Sequence, residues 1–258
     1  SSDVCSSDLA ARNGIVSALL AQENFDGPAK PLEGIRGFLN VTADNADAQS
    51  IVTDLGTRWE VLNNAYKPYP CGVVLNPVLE ACLALSSHAD LLRHGLDKIE
   101  SIQLTGHSLL RQRTDRPHIT TGRESQVSAQ HAVAVSLTRG RAGLAEFSDE
   151  AVSDQSLKVL GSKVCFVDDD SYSVDSAKVV LKISGVEPIE LFVEVARGAV
   201  GRPLSDQDIE DKVRALCAFG KSGVDPEPLI KAVWALEQST DVGQLMQLVA
   251  GSAANNPQ

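Results

Sequence analysis

Residues 66–71 (Tyr-Lys-Pro-Tyr-Pro-Cys) place a lysine, two tyrosines and a cysteine on one short connector. Its two prolines fix the backbone angle φ at their own positions and keep Lys67 and Tyr69 extended. A helix is predicted to begin directly afterwards, over residues 73–88. Because lysines and helix N-termini both bind anions, the connector indicates a carboxylate-binding element. Local chemistry alone supports a rigid linker with a solvated lysine equally well.

A second group with catalytic potential is His131, on a helix predicted over residues 125–138. An imidazole titrates near neutral pH, so it can both donate and accept a proton. Ser128 and Gln130 are neighbouring polar candidates. The apolar residues Ala132 and Val133 support a second interpretation equally well, in which His131 is a core histidine.

The five cysteines show no C-x-x-C spacing and no paired histidines, so no metal site is predicted. Cys82 and Cys217 lie in apolar helical patterns and are expected to be buried thiols in a reducing cytoplasm. Cys71 differs, because its place in the connector puts it at the predicted mouth of a site. As a nucleophile it lacks a histidine nearby in the sequence.

The 258 residues carry a net charge of -11, which argues against nucleic acid as a partner. An anionic ligand must therefore be bound by a local group of cations. The sequence contains no apolar stretch long enough to cross a membrane, so no membrane association is predicted.

Residues 189–195 alternate strictly between core-facing and outward positions, and the turn 184–188 joins them to a strand at 177–183 as a hairpin. Further strands are predicted at 98–104 and 164–167, and residues 59–62 are strand-like. Other helices are predicted at 10–22, at 32–41 with Phe38 and Leu39 buried, at 149–160, and in three segments after a capping box at Ser205 and Asp208.

These patterns predict an α+β protein in which an all-helical domain, incomplete here, is interrupted by a small α/β lid domain. The helical domain comprises residues 10–57 and 199–254, and the lid residues 58–198. Residues 1–9 repeat Ser-Ser-Asp and have no apolar core, so they are interpreted as a non-native adapter sequence rather than a signal peptide. The polar residues after Gly251 are predicted to be disordered.

Four stretches in order resemble the MmgE/PrpD family, which includes 2-methylcitrate dehydratase, cis-aconitate decarboxylase and an iminodisuccinate epimerase. They are residues 10–14 (Ala-Ala-Arg-Asn-Gly), 66–72 (Tyr-Lys-Pro-Tyr-Pro-Cys-Gly), 128–135 (Ser-Ala-Gln-His-Ala-Val-Ala-Val) and 201–206 (Gly-Arg-Pro-Leu-Ser-Asp). The resemblance implies a cytoplasmic, cofactor-independent lyase, dehydratase-like, that acts on a small di- or tricarboxylate and forms a homodimer. An epimerase or isomerase on a related carboxylate and a catalytically silent homologue are the alternatives.

The resemblance also assigns roles to residues. It implies that Lys67 and His131 are catalytic and that Tyr69, Cys71 and Gln130 contact the substrate. His131 occupies a position where the decarboxylase-like members have tyrosine, so their reaction cannot simply be transferred to this chain. Family members carry a helical region with further catalytic residues before the stretch that matches residue 10, so this chain is expected to be the C-terminal part of a longer enzyme.

Overall fold

The computed structural model describes residues 6–250, and the chain separates into two compact units, one ending at Leu62 and the other beginning at Asn63. The first five residues of the predicted adapter, and the predicted disordered tail after Gly251, lie outside the described residues. The predicted grouping of residues 10–57 with residues 199–254 in one domain stays a prediction.

The first unit contains three helices, α1 (Ser6–Gln22), α2 (Phe38–Thr42) and α3 (Ala48–Val52). Helix α1 confirms the helix predicted at residues 10–22, although Ile15 and Leu19 are exposed. Helix α2 is shorter than predicted, and Phe38 is exposed rather than buried. The predicted strand at residues 59–62 is wrong, because a 3-10 helix occupies Glu60–Asn63. Its apolar side chains are exposed, so no buried sheet face selects an extended backbone there.

The second unit is built on four strands, β1 (Ile99–Gly106), β2 (Val164–Asp168), β3 (Ala177–Ile183) and β4 (Ile189–Val193). The sheet order is β2-β1-β3-β4, with β1 and β2 parallel and the other two pairs antiparallel. The β3–β4 hairpin is confirmed, and its turn contains Gly185 at a φ of +76°. In β3, predicted at 177–183, every second side chain enters the core, as the pleat of a strand with one buried face requires.

The second unit also contains helices. They are α4 (Asn76–Leu85), α5 (Ala89–His94), α6 (Ser108–Thr114), α7 (Gly122–Ser125), α8 (Ala129–Arg139), α9 (Asp149–Ser153), α10 (Gln155–Gly161), α11 (Asp206–Gly220), α12 (Pro226–Trp234) and α13 (Val242–Val249). Short 3-10 helices occupy Val73–Leu75, Leu96–Lys98, Leu144–Phe147 and Leu236–Gln238. The fold is therefore mixed α+β, as predicted, while the lid arrangement remains a prediction.

The hydrophobic core lies between the sheet and helices α4 and α8. Helix α4 packs on β3, β4 and α8, and Val78, Leu79 and Cys82 are fully buried. On α8, Val133 and Val135 are equally inaccessible. Each such aliphatic side chain contributes roughly 1.5–3 kcal/mol through burial. This core rigidly holds the two segments that carry the predicted site residues, the connector before α4 and the N-terminal turn of α8.

Helix α11 begins with the predicted capping box. The Ser205 hydroxyl accepts a hydrogen bond from the Asp208 amide, and the Asp208 carboxylate accepts one from the Ser205 amide. Within residues 6–250, no helix is long and apolar enough to cross a membrane.

Candidate functional site

The connector 66–71 is held by a glycine that follows the last strand. The Tyr66 amide donates to the Gly198 carbonyl at 2.8 Å, and the Gly198 amide donates to the Arg202 carbonyl at 2.8 Å. Gly198 adopts a φ of +88°, a conformation that L side chains rarely adopt. An added Cβ would collide with the Tyr66 carbonyl oxygen. Only glycine therefore allows the two backbone segments to approach so closely.

The connector forms one wall of a cleft of about 560 Å³, which we call the Lys67 cleft. Lys67 and Tyr69 line it from the connector, Arg141 and Glu146 from the loop after α8, and Lys212 and Phe219 from α11. The Lys212 ammonium donates to the Lys67 carbonyl at 2.9 Å, which ties α11 to the connector. Three cationic side chains thus meet at a cleft whose remaining surface is largely apolar.

The charges of this cleft are unequally neutralised. Asp208 is paired with Arg197, and the Nε atom of Arg141 lies 2.8 Å from a Glu146 carboxylate oxygen. Lys67 is exposed, and its ammonium makes no ion pair or hydrogen bond to the part of the chain that the structure describes. Since the whole chain is acidic, this local excess of cations is the feature that can attract an anion.

Tyr69 is half-buried in the same cleft, and its phenol remains a hydrogen-bond donor at neutral pH. Burial, assisted by the negative charge of Glu80, raises the pKa of the phenol above its ordinary value of 10.0. Glu80 is itself held in place, because it pairs with Arg202 and accepts a hydrogen bond from the Arg197 amide.

Cys71 lies in the hydrophobic core rather than at the mouth of the Lys67 cleft. Only 4% of the residue is exposed, and its Sγ atom is 3.9 Å from Asn76 Oδ1. Burial raises the pKa of the thiol to about 12, although the charge of Lys67 acts in the opposite direction. The thiol is therefore protonated at neutral pH, which disfavours a nucleophilic role.

His131 and Gln130 line a different cavity, of about 370 Å³. The His131 Nε2 atom is 2.7 Å from the Glu146 carbonyl oxygen. A carbonyl can only accept, so Nε2 carries the proton and Nδ1 is left as the acceptor. Burial lowers the pKa of the imidazole below its ordinary value of 6.5, so His131 is neutral at pH 7. Its ring also packs against Phe147.

The Gln130 side chain forms hydrogen bonds with the loop before α8. Its side-chain oxygen accepts a hydrogen bond from the Arg116 amide at 3.1 Å, and its amide nitrogen donates to Asp115 at 2.7 Å. Ser128 caps α8 by accepting from the His131 amide, and its hydroxyl donates to the Arg116 carbonyl. Both side chains therefore fix the loop before α8 in addition to lining the His131 cavity.

Comparison with known proteins gives the family. A family model described as the MmgE/PrpD C-terminal domain matches residues 69–236, which is more than half of the chain. The chain belongs to the MmgE/PrpD family. It is also 27% identical over 265 residues to the cis-aconitate decarboxylase-like protein oryM of Aspergillus oryzae, an alignment that covers 94% of this chain and 53% of that protein. The chain thus spans about half the length of the curated relative that it matches.

The part of this MmgE/PrpD chain that matches the family model includes every residue that lines the His131 cavity, and every residue that lines the Lys67 cleft except Lys67 and Pro68. Of the predicted site residues, Lys67 and Tyr69 both line the Lys67 cleft. Gln130 and His131 both line the separate His131 cavity. Among residues 6–250, no group of three or more histidine, cysteine, aspartate or glutamate side chains could hold a metal ion.

Glu146 links His131 to the Lys67 cleft, and sequence reasoning missed it. Its carbonyl oxygen accepts from His131, and the residue itself lines the Lys67 cleft. The only local sign of Glu146 in the sequence is its spacing, three residues after Gly143. In the structure the Gly143 amide donates to Glu146 Oε2 at 2.9 Å. That spacing indicates a helix start but not a functional position.

Proposed function

We propose that this MmgE/PrpD chain contributes one side of the active site in a cofactor-independent lyase that acts on a small di- or tricarboxylate. The observation that supports it most is the Lys67 cleft. Lys67, Arg141 and Lys212 all line this cleft, although the chain as a whole is strongly acidic. The family membership and the name of the aligned relative point to the same class. A cytoplasmic homodimer with residues 58–198 as its lid domain belongs to this proposal.

In this proposal the cations bind the carboxylates of the substrate. Lys67 and Lys212 act as point charges, and Arg141 is able to bind a carboxylate with two parallel hydrogen bonds. Loss of water or carbon dioxide also requires groups that move protons. Tyr69 is a protonated donor within the cleft, and His131 is a neutral imidazole on the far side of Glu146. Cys71 and Gln130 support these groups by packing and hydrogen bonding.

The test is a substrate screen on the native gene product. Incubation with 2-methylcitrate, citrate and cis-aconitate, followed by NMR of the products, separates loss of water, loss of carbon dioxide and change of stereochemistry. We expect a lyase reaction with at least one of them. An exclusive change of stereochemistry would replace the lyase by an epimerase, and complete inactivity with these and related carboxylates would favour a silent homologue.

Lys67→Ala tests whether the cleft is the site. A charged hydrogen bond contributes roughly 1.5–3 kcal/mol, so kcat/KM is expected to fall by at least ~10-fold. Lys182→Ala is the matched control, because Lys182 is an exposed lysine of β3 outside the cleft. Equal kinetics of the two variants would refute a role for Lys67 in the reaction.

A further inference from the structure

Glu80, on the core helix α4, holds a tight turn that follows strand β4 and comprises residues 197–202. Its Oε2 atom accepts a hydrogen bond from the Arg197 amide at 3.0 Å, and its Oε1 atom pairs with the Arg202 guanidinium. These two partners lie 117 and 122 residues after Glu80 in the chain. Only 20% of the Glu80 side chain is exposed. One largely buried carboxylate therefore attaches both ends of the turn to the core.

The turn holds the connector on its other side. Its own backbone closes it, because the Gly198 amide donates to the Arg202 carbonyl at 2.8 Å. The Gly198 carbonyl then accepts the Tyr66 amide hydrogen at 2.8 Å. Tyr66 directly precedes Lys67, so the place that Glu80 gives to the turn also sets the place where the connector begins.

The same turn holds helix α11. The Arg197 guanidinium pairs with Asp208 in the first turn of this helix. One helical turn further, the Lys212 ammonium donates to the Lys67 carbonyl at 2.9 Å. Asp208 and Lys212 both line the Lys67 cleft. No residue of α11 is buried, so polar contacts of this kind have a large share in fixing the helix against the connector.

The position of Glu80 requires a carboxylate. The turn presents two donors to it, the Arg197 amide and the Arg202 guanidinium. A carboxylate accepts from both, whereas a glutamine side chain has one acceptor oxygen and would turn its NH₂ group toward the second donor. Hydrogen bonds to a charged group are also about twice as strong as neutral ones. Glu80→Gln therefore keeps the shape of the side chain and loses at least one of its two attachments.

We propose that Glu80 is a positioning residue of the Lys67 cleft. From α4 it holds the turn 197–202, and the turn fixes the connector and α11 so that Lys67 and Lys212 face the same ligand. Glu80 itself does not line the cleft. The inference rests on the proposed carboxylate site, because that site gives the relative position of the two cations its importance.

The first test measures the attachment without any ligand. Hydrogen–deuterium exchange, followed by NMR on the 258-residue chain, reports on the amides of Tyr66 and Gly198. Both should exchange at least ~5-fold faster in Glu80→Gln, while the amides of β3 keep their rates. Asp168→Asn is the matched control, because it breaks an ion pair with Arg111 outside the cleft. Unchanged exchange of Tyr66 in Glu80→Gln would overturn the proposal.

The Tyr69 phenol gives a signature that a general loss of stability would not produce. Burial and the negative charge of Glu80 raise the pKa of this phenol, and the charges of Arg197 and Arg202 lower it. In ¹³C NMR of ring-labelled tyrosine, the phenol should therefore ionise at a lower pH in Glu80→Gln and at an unchanged pH in Asp168→Asn. The signal that Tyr69→Phe removes identifies it. An unchanged titration in Glu80→Gln would contradict the placement of Glu80 beside the connector.

Kinetics with the substrate that the screen identifies connect the attachment to the reaction. The value of kcat/KM should fall at least ~5-fold in Glu80→Gln and stay unchanged in Asp168→Asn. Arg202→Gln, which leaves the bond to the Arg197 amide, should cause a smaller fall, and it replaces Glu80→Gln if that variant does not fold. Unchanged kcat/KM in Glu80→Gln, with a fall in Lys67→Ala, would overturn the positioning role alone. Unchanged kcat/KM in both variants would overturn the proposed carboxylate site as well.

Discussion

Replacement of Gly198 by alanine tests how the lysine of the cleft is positioned. Gly198 has a φ of +88°, and the carbonyl that accepts from the Tyr66 amide belongs to it. An alanine Cβ would collide with the Tyr66 carbonyl oxygen and lie 3.1 Å from Pro68 Cδ. The substitution therefore strains the glycine backbone and pushes the connector, including Lys67, away from its place.

The expected cost has two parts. An L-residue in a left-handed conformation costs roughly 1–2 kcal/mol. Forced overpacking adds about 1–3 kcal/mol, because neither the Tyr66 backbone nor the proline ring can move freely. In a unit of this size each kcal/mol lowers Tm by about 2–4 °C, so we expect Gly198→Ala to lower Tm by roughly 5–15 °C.

Gly185→Ala is the matched control. Gly185 also has a positive φ, of +76°, but an added Cβ would meet no heavy atom within 4 Å. Both variants carry the left-handed strain, so differential scanning calorimetry should place the Gly198→Ala transition below that of Gly185→Ala by the overpacking part alone, about 2–12 °C. For the substrate that the screen identifies, kcat/KM should fall only in Gly198→Ala, because only that substitution displaces Lys67. Equal melting temperatures would refute the close approach, and equal kcat/KM values would refute the positioning of Lys67 by Gly198.

Three further predictions concern single side chains. Because burial lowers the pKa of His131, the unfolded chain takes up a proton as the pH falls through about 6.5 and the folded chain does not. Stability should therefore fall between pH 7 and pH 5, and His131→Phe should flatten this slope in urea titrations; an unchanged slope would contradict the assignment. At pH 8, mass spectrometry should find exposed Cys165 alkylated by iodoacetamide well before buried Cys71, and the reverse order would contradict the burial of Cys71. Lys67→Arg should restore only part of the kcat/KM lost in Lys67→Ala, because the guanidinium is larger; full recovery would show that charge alone matters.

The sequence predicted best the elements whose side chains alternate between core and solvent. The β3–β4 hairpin shows this, since Val179 and Leu181 enter the core at every second position. The same reasoning failed at Trp59 and Phe38, where apolar residues are exposed and no buried face selects the conformation. Periodicity reports a preference for burial, and the contacts that complete the burial depend on the rest of the fold.

The candidate site was only partly predictable for a related reason. Lys67 and Tyr69 were found because prolines fix their connector locally. The relation of Lys67 to Lys212 depends on how α11 crosses the connector, and that of His131 to Glu146 depends on a loop that folds back on α8. Such contacts between residues distant in the sequence leave no local pattern, and an isolated glutamate in a glycine-containing loop gives no functional signal.

The bond between the Tyr66 amide and the Gly198 carbonyl has a consequence for the evolution and engineering of the protein. The complete sheet lies between these two residues in the sequence, yet its two ends are adjacent in space. A linker that joined the two ends of this segment would therefore be short, and the entropy of closing it would be small. The segment between Tyr66 and Gly198 thus has ends that suit circular permutation, and such a rearranged chain would keep one wall of the Lys67 cleft intact.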